Sequence, residues 1–135
     1  MARVLLDTNG LVYAHDRAEY TKQAQALLLL ERLHLTGSGR LSVQCLAEFY
    51  CAVTRPPESI LTSEQAARQV EWLARAWPTF PISRMIVLEA VRGVREHRLA
   101  YWNAQIWATA RLNQVPLILS EDFSDGQVLE GVRFV

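Results

Sequence analysis

The sequence predicts an α/β fold in which a central, mostly parallel sheet is covered by helices on both faces. Three observations predict it. Short, wholly apolar runs such as Val4-Leu5-Leu6 read as strands buried on both sides. Longer helix-compatible stretches alternate with them. The 135 residues, half of them hydrophobic, suit one sizeable core, so the expectation is a single domain spanning residues 1–135.

The elements follow in order. Arg3 to Asp7 is a short strand with an acid at its carboxyl end, and helix-compatible sequence follows from Asn9. Tyr20 to Leu35 is the clearest amphipathic helix, because Ala24, Leu27, Leu28 and Leu35 keep a helical stripe before Gly37 and Gly39 break it. Residues 40–43 form a short strand leading into a helix from Gln44 to Thr54, which Pro56 and Pro57 terminate. Thr62, with Gln65 three residues on, resembles a capping box ahead of a helix from Ser63 to Trp77, whose Val70, Leu73 and Trp77 share one face. A strand from Thr79 to Ile82, a helix from Ser83 to about His97, a helix from Tyr101 to Asn113 and strands at Pro116–Leu119 and Val132–Val135 complete the chain. No repeat, linker or low-complexity tract interrupts it.

Composition narrows the partners. Formal net charge is zero, so no strongly basic field holds nucleic acid non-specifically, and any such contact must be a local patch. Of the 14 basic residues only Lys22 is lysine; guanidinium forks suit phosphate, although a codon bias gives the same count. The two cysteines, Cys45 and Cys51, lie on one helix roughly 120° apart around its axis, a geometry unsuited to a disulfide. No apolar run approaches membrane length and no secretory signal follows Met1, so a cytoplasmic, non-membrane protein is expected.

Asp is scarce: only Asp7, Asp16, Asp122 and Asp125 occur, and Asp7 and Asp122 both follow closely on apolar strands. Ligand sites in open α/β sheets gather outside the carboxyl ends of strands, so the two could share a crevice; a plain capping or turn role is the alternative for each. Glu48 points away from the large apolar face of its helix, formed by Leu46, Phe49, Tyr50 and Val53, and its wheel neighbours are mostly small. An ordinary exposed glutamate is the competing explanation. Arg92, Arg95 and Arg98 lie three apart on one helix, where they could contact RNA phosphate or simply form a solvated face. His15, His34 and His97 show no metal spacing and no obvious partner acids, and core packing accounts for Trp72, Trp77, Trp102 and Trp107 more cheaply than base stacking.

Four segments in order, Val4-Leu5-Leu6-Asp7-Thr8-Asn9, Leu46-Ala47-Glu48-Phe49-Tyr50, Tyr101-Trp102-Asn103-Ala104 and Leu119-Ser120-Glu121-Asp122-Phe123, resemble the motifs of PIN-domain nucleases. The resemblance covers nearly the whole chain, with spacings similar to those of VapC toxin ribonucleases. It implies a three-layer PIN-like fold and an Mg²⁺- (or Mn²⁺-) dependent endoribonuclease, leaving 5′-phosphate and 3′-hydroxyl ends. It implies catalytic and metal-ligating roles for Asp7, Glu48, Asn103 and Asp122, with Thr8, Asn9, Ser120 and Asp125 as supporting polar groups. It also implies a cognate antitoxin protein and a homodimer. One position departs from the pattern: where the family has Asp, this chain has Asn103, which offers a metal only a neutral oxygen. Natural divergence and deliberate silencing of a toxic enzyme both remain open, as does an N-cap role for Asn103. The alternative function is an inactive PIN-fold module that binds RNA or an antitoxin. A phosphatase or nucleotide binder fits less well, since Asp7-Thr8-Asn9 lacks a second Asp and no Gly-rich phosphate loop occurs.

Overall fold

Val4–Leu6 forms the central strand β1, and its alternation sets up the layers: Val4 and Leu6 enter one apolar cluster and Leu5 the other. Both faces are therefore covered, as the apolar run requires. The structure, a computed structural model, describes residues 2–121, 123 and 125–135. After β1 come α1 (Thr8–Tyr13), a short 3-10 turn (Arg17–Glu19) capped by Asp16, α2 (Tyr20–Thr36), β2 (Gly39–Ser42), α3 (Val43–Val53) and α4 (Ser63–Ala76). Then follow β3 (Thr79–Phe80), α5 (Arg84–His97), α6 (Tyr101–Leu112), β4 (Leu117–Leu119), β5 (Val128–Leu129) and β6 (Val132–Phe134).

The strand order is β3-β2-β1-β4-β6-β5, and every pairing is parallel except that of the edge strand β5 with β6. Helices α5 and α6 cover one face, where Ile86, Ala90, Ile106 and Trp107 pack on Leu5, Ile118 and Phe134. Helices α1 to α4 cover the other, with Leu11, Leu33, Phe49, Val53 and Leu73 against Val4, Leu6 and Leu41. The chain leaves β1 for β2 on one side and later returns to β4 on the other, so a topological switch point lies at the carboxyl end of β1.

Local chemistry explains most boundaries. Ser42 caps α3 by accepting from Cys45 N, Ser83 caps α5 by accepting from Ile86 N, and Thr62 with Gln65 forms the full capping box of α4. Gly37 ends α2 in the left-handed region at φ 66°. Gly39 is needed for a different reason, since a Cβ there would fall on the Trp77 ring.

Two expectations are corrected. The stripe assigned to α2 is its outer side: Ala24, Leu27, Leu28 and Leu35 are exposed, while Ala26 and Leu33 are buried with Leu29 and Leu30 beside them. Leucines at 27 to 30, 33 and 35 encircle the helix, so periodicity could not select the face. The strand β5 was not anticipated either; two residues at a sheet edge carry too little pattern to read.

Candidate active site

At the switch point, Asp7 follows β1 directly and serves as the N-cap of α1, its Oδ1 accepting from Thr8 N at 2.7 Å. Its own N–H donates to Leu119 O at 3.0 Å, and Ser120 Oγ, just beyond β4, donates to its Oδ2 at 2.6 Å. Asp7 is only 4% exposed, and its carboxylate is held by the start of its own helix and by the residue just beyond β4. The capping role expected as the plainer alternative for Asp7 is thus observed. Two lone-pair directions remain on these oxygens for a further partner.

Glu48 reaches the same place from α3. Gln44 Nε2, one turn earlier, donates to its Oε1 at 2.9 Å, and Thr8 Oγ1 approaches the same oxygen at 3.4 Å. Asn103 comes from the first turn of α6. It is not the cap: Ala100 is the N-cap residue, which makes Asn103 the third residue of the helix. Asp7, Glu48 and Asn103 line one crevice of about 360 Å³, together with Thr8, Asn9, Gln44, Arg55 and Trp102 among others. Asp122 lies outside the described residues. Asp125 is exposed and is not among the residues lining the crevice.

The chemistry of the donors fits a hard divalent cation. Two carboxylates, one amide oxygen and the Thr8 hydroxyl are all oxygen ligands, the set that suits Mg²⁺ or Mn²⁺. Beneath them the thiol of Cys45 is fully buried, donating to Leu6 O at 3.3 Å, and burial pushes it up to about 12, with the charges of Asp7 and Glu48 adding to the rise. It stays a neutral thiol and offers no soft ligand. Cys51, on the crevice wall, is free and exposed.

A second acidic group lies elsewhere. Ligand atoms of Glu96, His97 and Glu130 fall within 4.8 Å of one another. A cation already sits among them: Arg92 Nη1 is 2.5 Å from Glu96 Oε2 and 2.9 Å from Glu130 Oε2. Arg92 also pairs with Glu89 at 2.6 Å, and Arg111 joins Glu89 in a short contact. This guanidinium holds Glu130 well below the usual carboxylate range, at about 2, with His97 contributing. Arg92 is thus engaged in an ion-pair network, and Arg92, Arg95 and Arg98 are not among the residues that line the crevice. His97, expected to have no acid partner, has Glu130 at 2.6 Å.

A PIN domain model matches residues 4–124 of the chain. The chain belongs to the PIN domain family. No curated protein sequence matches it. Among solved structures, this PIN domain is similar to a toxin-antitoxin complex from Klebsiella pneumoniae at 19% identity and TM-score 0.69, covering 96% of this chain and 94% of that one. A DNA-bound VapBC from Salmonella typhimurium gives 15% identity and TM-score 0.69, covering 100% and 98%. Mycobacterium tuberculosis VapC20, a Sarcin-Ricin loop cleaving toxin, gives 13% identity and TM-score 0.65, covering 85% and 86%. These likenesses establish a common fold.

Several residues at or behind the crevice are not singled out by the sequence pattern. Arg55 is the one cation among the described lining residues, and it stood in plain view on the helical wheel of Glu48. Trp102, read as core, lines the crevice and is 61% exposed; Trp72 is half exposed as well, and only Trp77 and Trp107 are buried. Gln105 gave no signal, because a glutamine inside an apolar helix face reads as a surface residue. Among the described residues no helix is long and apolar enough to cross a membrane.

Proposed function

We propose that this PIN domain is an Mg²⁺- or Mn²⁺-dependent endoribonuclease of the toxin type, with Asp7, Glu48, Asn103 and Asp122 as its site. The observation that carries the reading is the convergence of Asp7, Glu48 and Asn103 from three separate elements on one crevice at the carboxyl end of β1. Acids distant in sequence gather in this way at a cost in mutual repulsion that a cation offsets. The toxin-antitoxin complexes and the RNA-cleaving toxin among the structural neighbours support the same assignment and a cognate antitoxin partner. By family resemblance we read residues 1–135 as one domain that works as a homodimer in the cytoplasm.

Asp7, Glu48 and the Asn103 oxygen would hold the cation, with Asp122 as a fourth ligand. When bound, it supplies Lewis acidity at the scissile phosphate. The remaining work falls to the chain. Asp7 is rigid because Thr8 N and Ser120 Oγ fix its two oxygens. Glu48, the more exposed carboxylate, accepts a hydrogen bond from the attacking water and turns its oxygen toward phosphorus. Arg55 on the rim pairs with a phosphate oxygen of the incoming strand. Water adds to phosphorus, giving up a proton to Glu48, as the bond to the 3′ oxygen breaks and that oxygen takes a proton from solvent, leaving a 5′-phosphate and a 3′-hydroxyl.

A second reading rests on Asn103 itself. Its neutral amide removes one full charge from a site that must neutralise a divalent cation, which favours a weakened or silent nuclease that still binds RNA or an antitoxin. Cleavage of a labelled RNA with and without Mg²⁺, by the chain and by Asn103→Asp, separates the two. Activity in both supports the nuclease; activity only in Asn103→Asp identifies a silenced one; none in either overturns catalysis.

A further inference from the structure

Two glutamines stand between the acidic crevice and the core. Gln44 and Gln105 are both buried, at 7% and 5% exposure, on different helices, yet their side-chain amides form one relay that ends on Glu48. Tyr101 Oη donates to Gln105 Oε1 at 2.9 Å, Gln105 Nε2 donates to Gln44 Oε1 at 2.8 Å, and Gln44 Nε2 donates to Glu48 Oε1 at 2.9 Å. The second hydrogen of Gln44 Nε2 goes to Trp102 O at 3.1 Å.

The direction of this chain is fixed by its ends. Glu48 Oε1 and Trp102 O can only accept, so the Gln44 nitrogen must face them and its oxygen must face Gln105. That in turn obliges Gln105 to present its nitrogen and leaves its oxygen to the Tyr101 hydroxyl. A flipped Gln44 would set one oxygen against a carboxylate and a carbonyl. Because the bonds to Glu48 among the described residues all fall on Oε1, Oε2 is left as its open donor. Trp102 immediately precedes Asn103, so one amide group ties together the carboxylate on α3 and the turn of α6 that carries position 103.

We propose that Gln44 and Gln105 are positioning residues that set the spacing and orientation of Glu48 relative to position 103 for a divalent cation, an inference that rests on the metal-site reading above. Gln44 acts directly and Gln105 acts through it, by holding its amide in the one productive orientation. Partners behind metal ligands in this way carry a large share of the affinity, commonly tenfold or more.

The test is Mn²⁺ binding by calorimetry to the folded protein, in both the parent and the Asn103→Asp chain, with Gln44→Met, Gln105→Met and the double variant. Gln44→Met should weaken binding about tenfold and Gln105→Met several-fold. In the Gln44→Met background the Gln105→Met change should add almost nothing, since its effect has no other route. Ile86→Val, a core change on α5, should lower the melting temperature without moving the Mn²⁺ affinity. Gln variants that bind as tightly as their parents, or whose losses simply add, overturn the inference while leaving the site reading intact. If neither parent binds Mn²⁺ in a manner abolished by Asp7→Asn, the site reading fails and the inference with it.

Discussion

Gly93 in α5 offers a worked test of how α6, the helix that presents Asn103, is held. A Cβ built on Gly93 would lie 2.8 Å from Cζ3 and 2.9 Å from Cε3 of Trp107, and 3.5 Å from the Ala104 Cβ. Ordinary carbon contacts are about 3.5–4.0 Å, so Gly93→Ala demands a shift of roughly 0.6 Å or more. The ring has little freedom to give way, being fully buried with its Nε1 donating to Leu129 O at 3.2 Å. Overpacking of this kind costs about 1–3 kcal/mol, and the better helix propensity of alanine returns up to about 1 kcal/mol. A net loss of about 1–2 kcal/mol is expected, which for a domain of this size is a fall in Tm of roughly 3–8 °C. Differential scanning calorimetry measures it, and Trp107→Phe should recover part of the loss in the Gly93→Ala background. A Tm equal to or above that of the parent would refute the reasoning, because it would mean that the ring moves aside at no cost.

Three further outcomes are expected. Glu130, held at about 2 chiefly by Arg92 and then by His97, has a depressed value in the folded protein, so its contribution to stability is whole above its ordinary 4.5 and is lost as pH falls toward 2. In Arg92→Met the melting temperature should therefore fall less steeply across that window, and an unchanged slope in thermal melts would contradict the ion-pair assignment. Asn103→Asp should tighten Mg²⁺ binding by adding a carboxylate at the crevice, read by calorimetry; equal affinity would remove position 103 from the metal site. Cys51 should react quickly with a thiol reagent in the native protein, whereas Cys45, buried and pushed up to about 12, should react only on unfolding. Fast labelling of both would place Cys45 at the surface.

The layers of the fold were legible because buried parallel strands leave an unmistakable apolar signature, and Val4-Leu5-Leu6 and Leu117-Ile118-Leu119 both carry it. The cap of α4 was legible for the same local reason: Thr62 and Gln65 satisfy helix amides within a few residues of themselves. Long-range choices were not. Nothing in the α2 sequence says which of its encircling leucines meets the sheet, and the exposed Leu28 and Leu35 were read inward. Asp7, Glu48 and Asn103 could be nominated from strand ends and motif order, but their meeting depends on the order of strands around β1. Gln44 and Gln105 are 61 residues apart, and their hydrogen bond exists only once α3 and α6 are packed. Trp102 was misjudged because large aromatics are buried more often than not, whereas here it stands exposed in the first turn of α6 among the residues that line the crevice.

On the function proposed above, the crevice of Asp7, Glu48 and Asn103 cleaves RNA with a divalent cation. The most direct measurement follows a 5′-labelled single-stranded RNA on a denaturing gel with Mg²⁺ or with EDTA, comparing the parent chain, Asn103→Asp, and Asn103→Asp combined with Asp7→Asn. Metal-dependent cleavage is expected, faster in Asn103→Asp than in the parent and reduced at least a hundredfold when Asp7→Asn is added, on the order of what a lost charge-stabilising group costs. Cleavage that persists in EDTA, or that is indifferent to Asp7→Asn, would contradict the account.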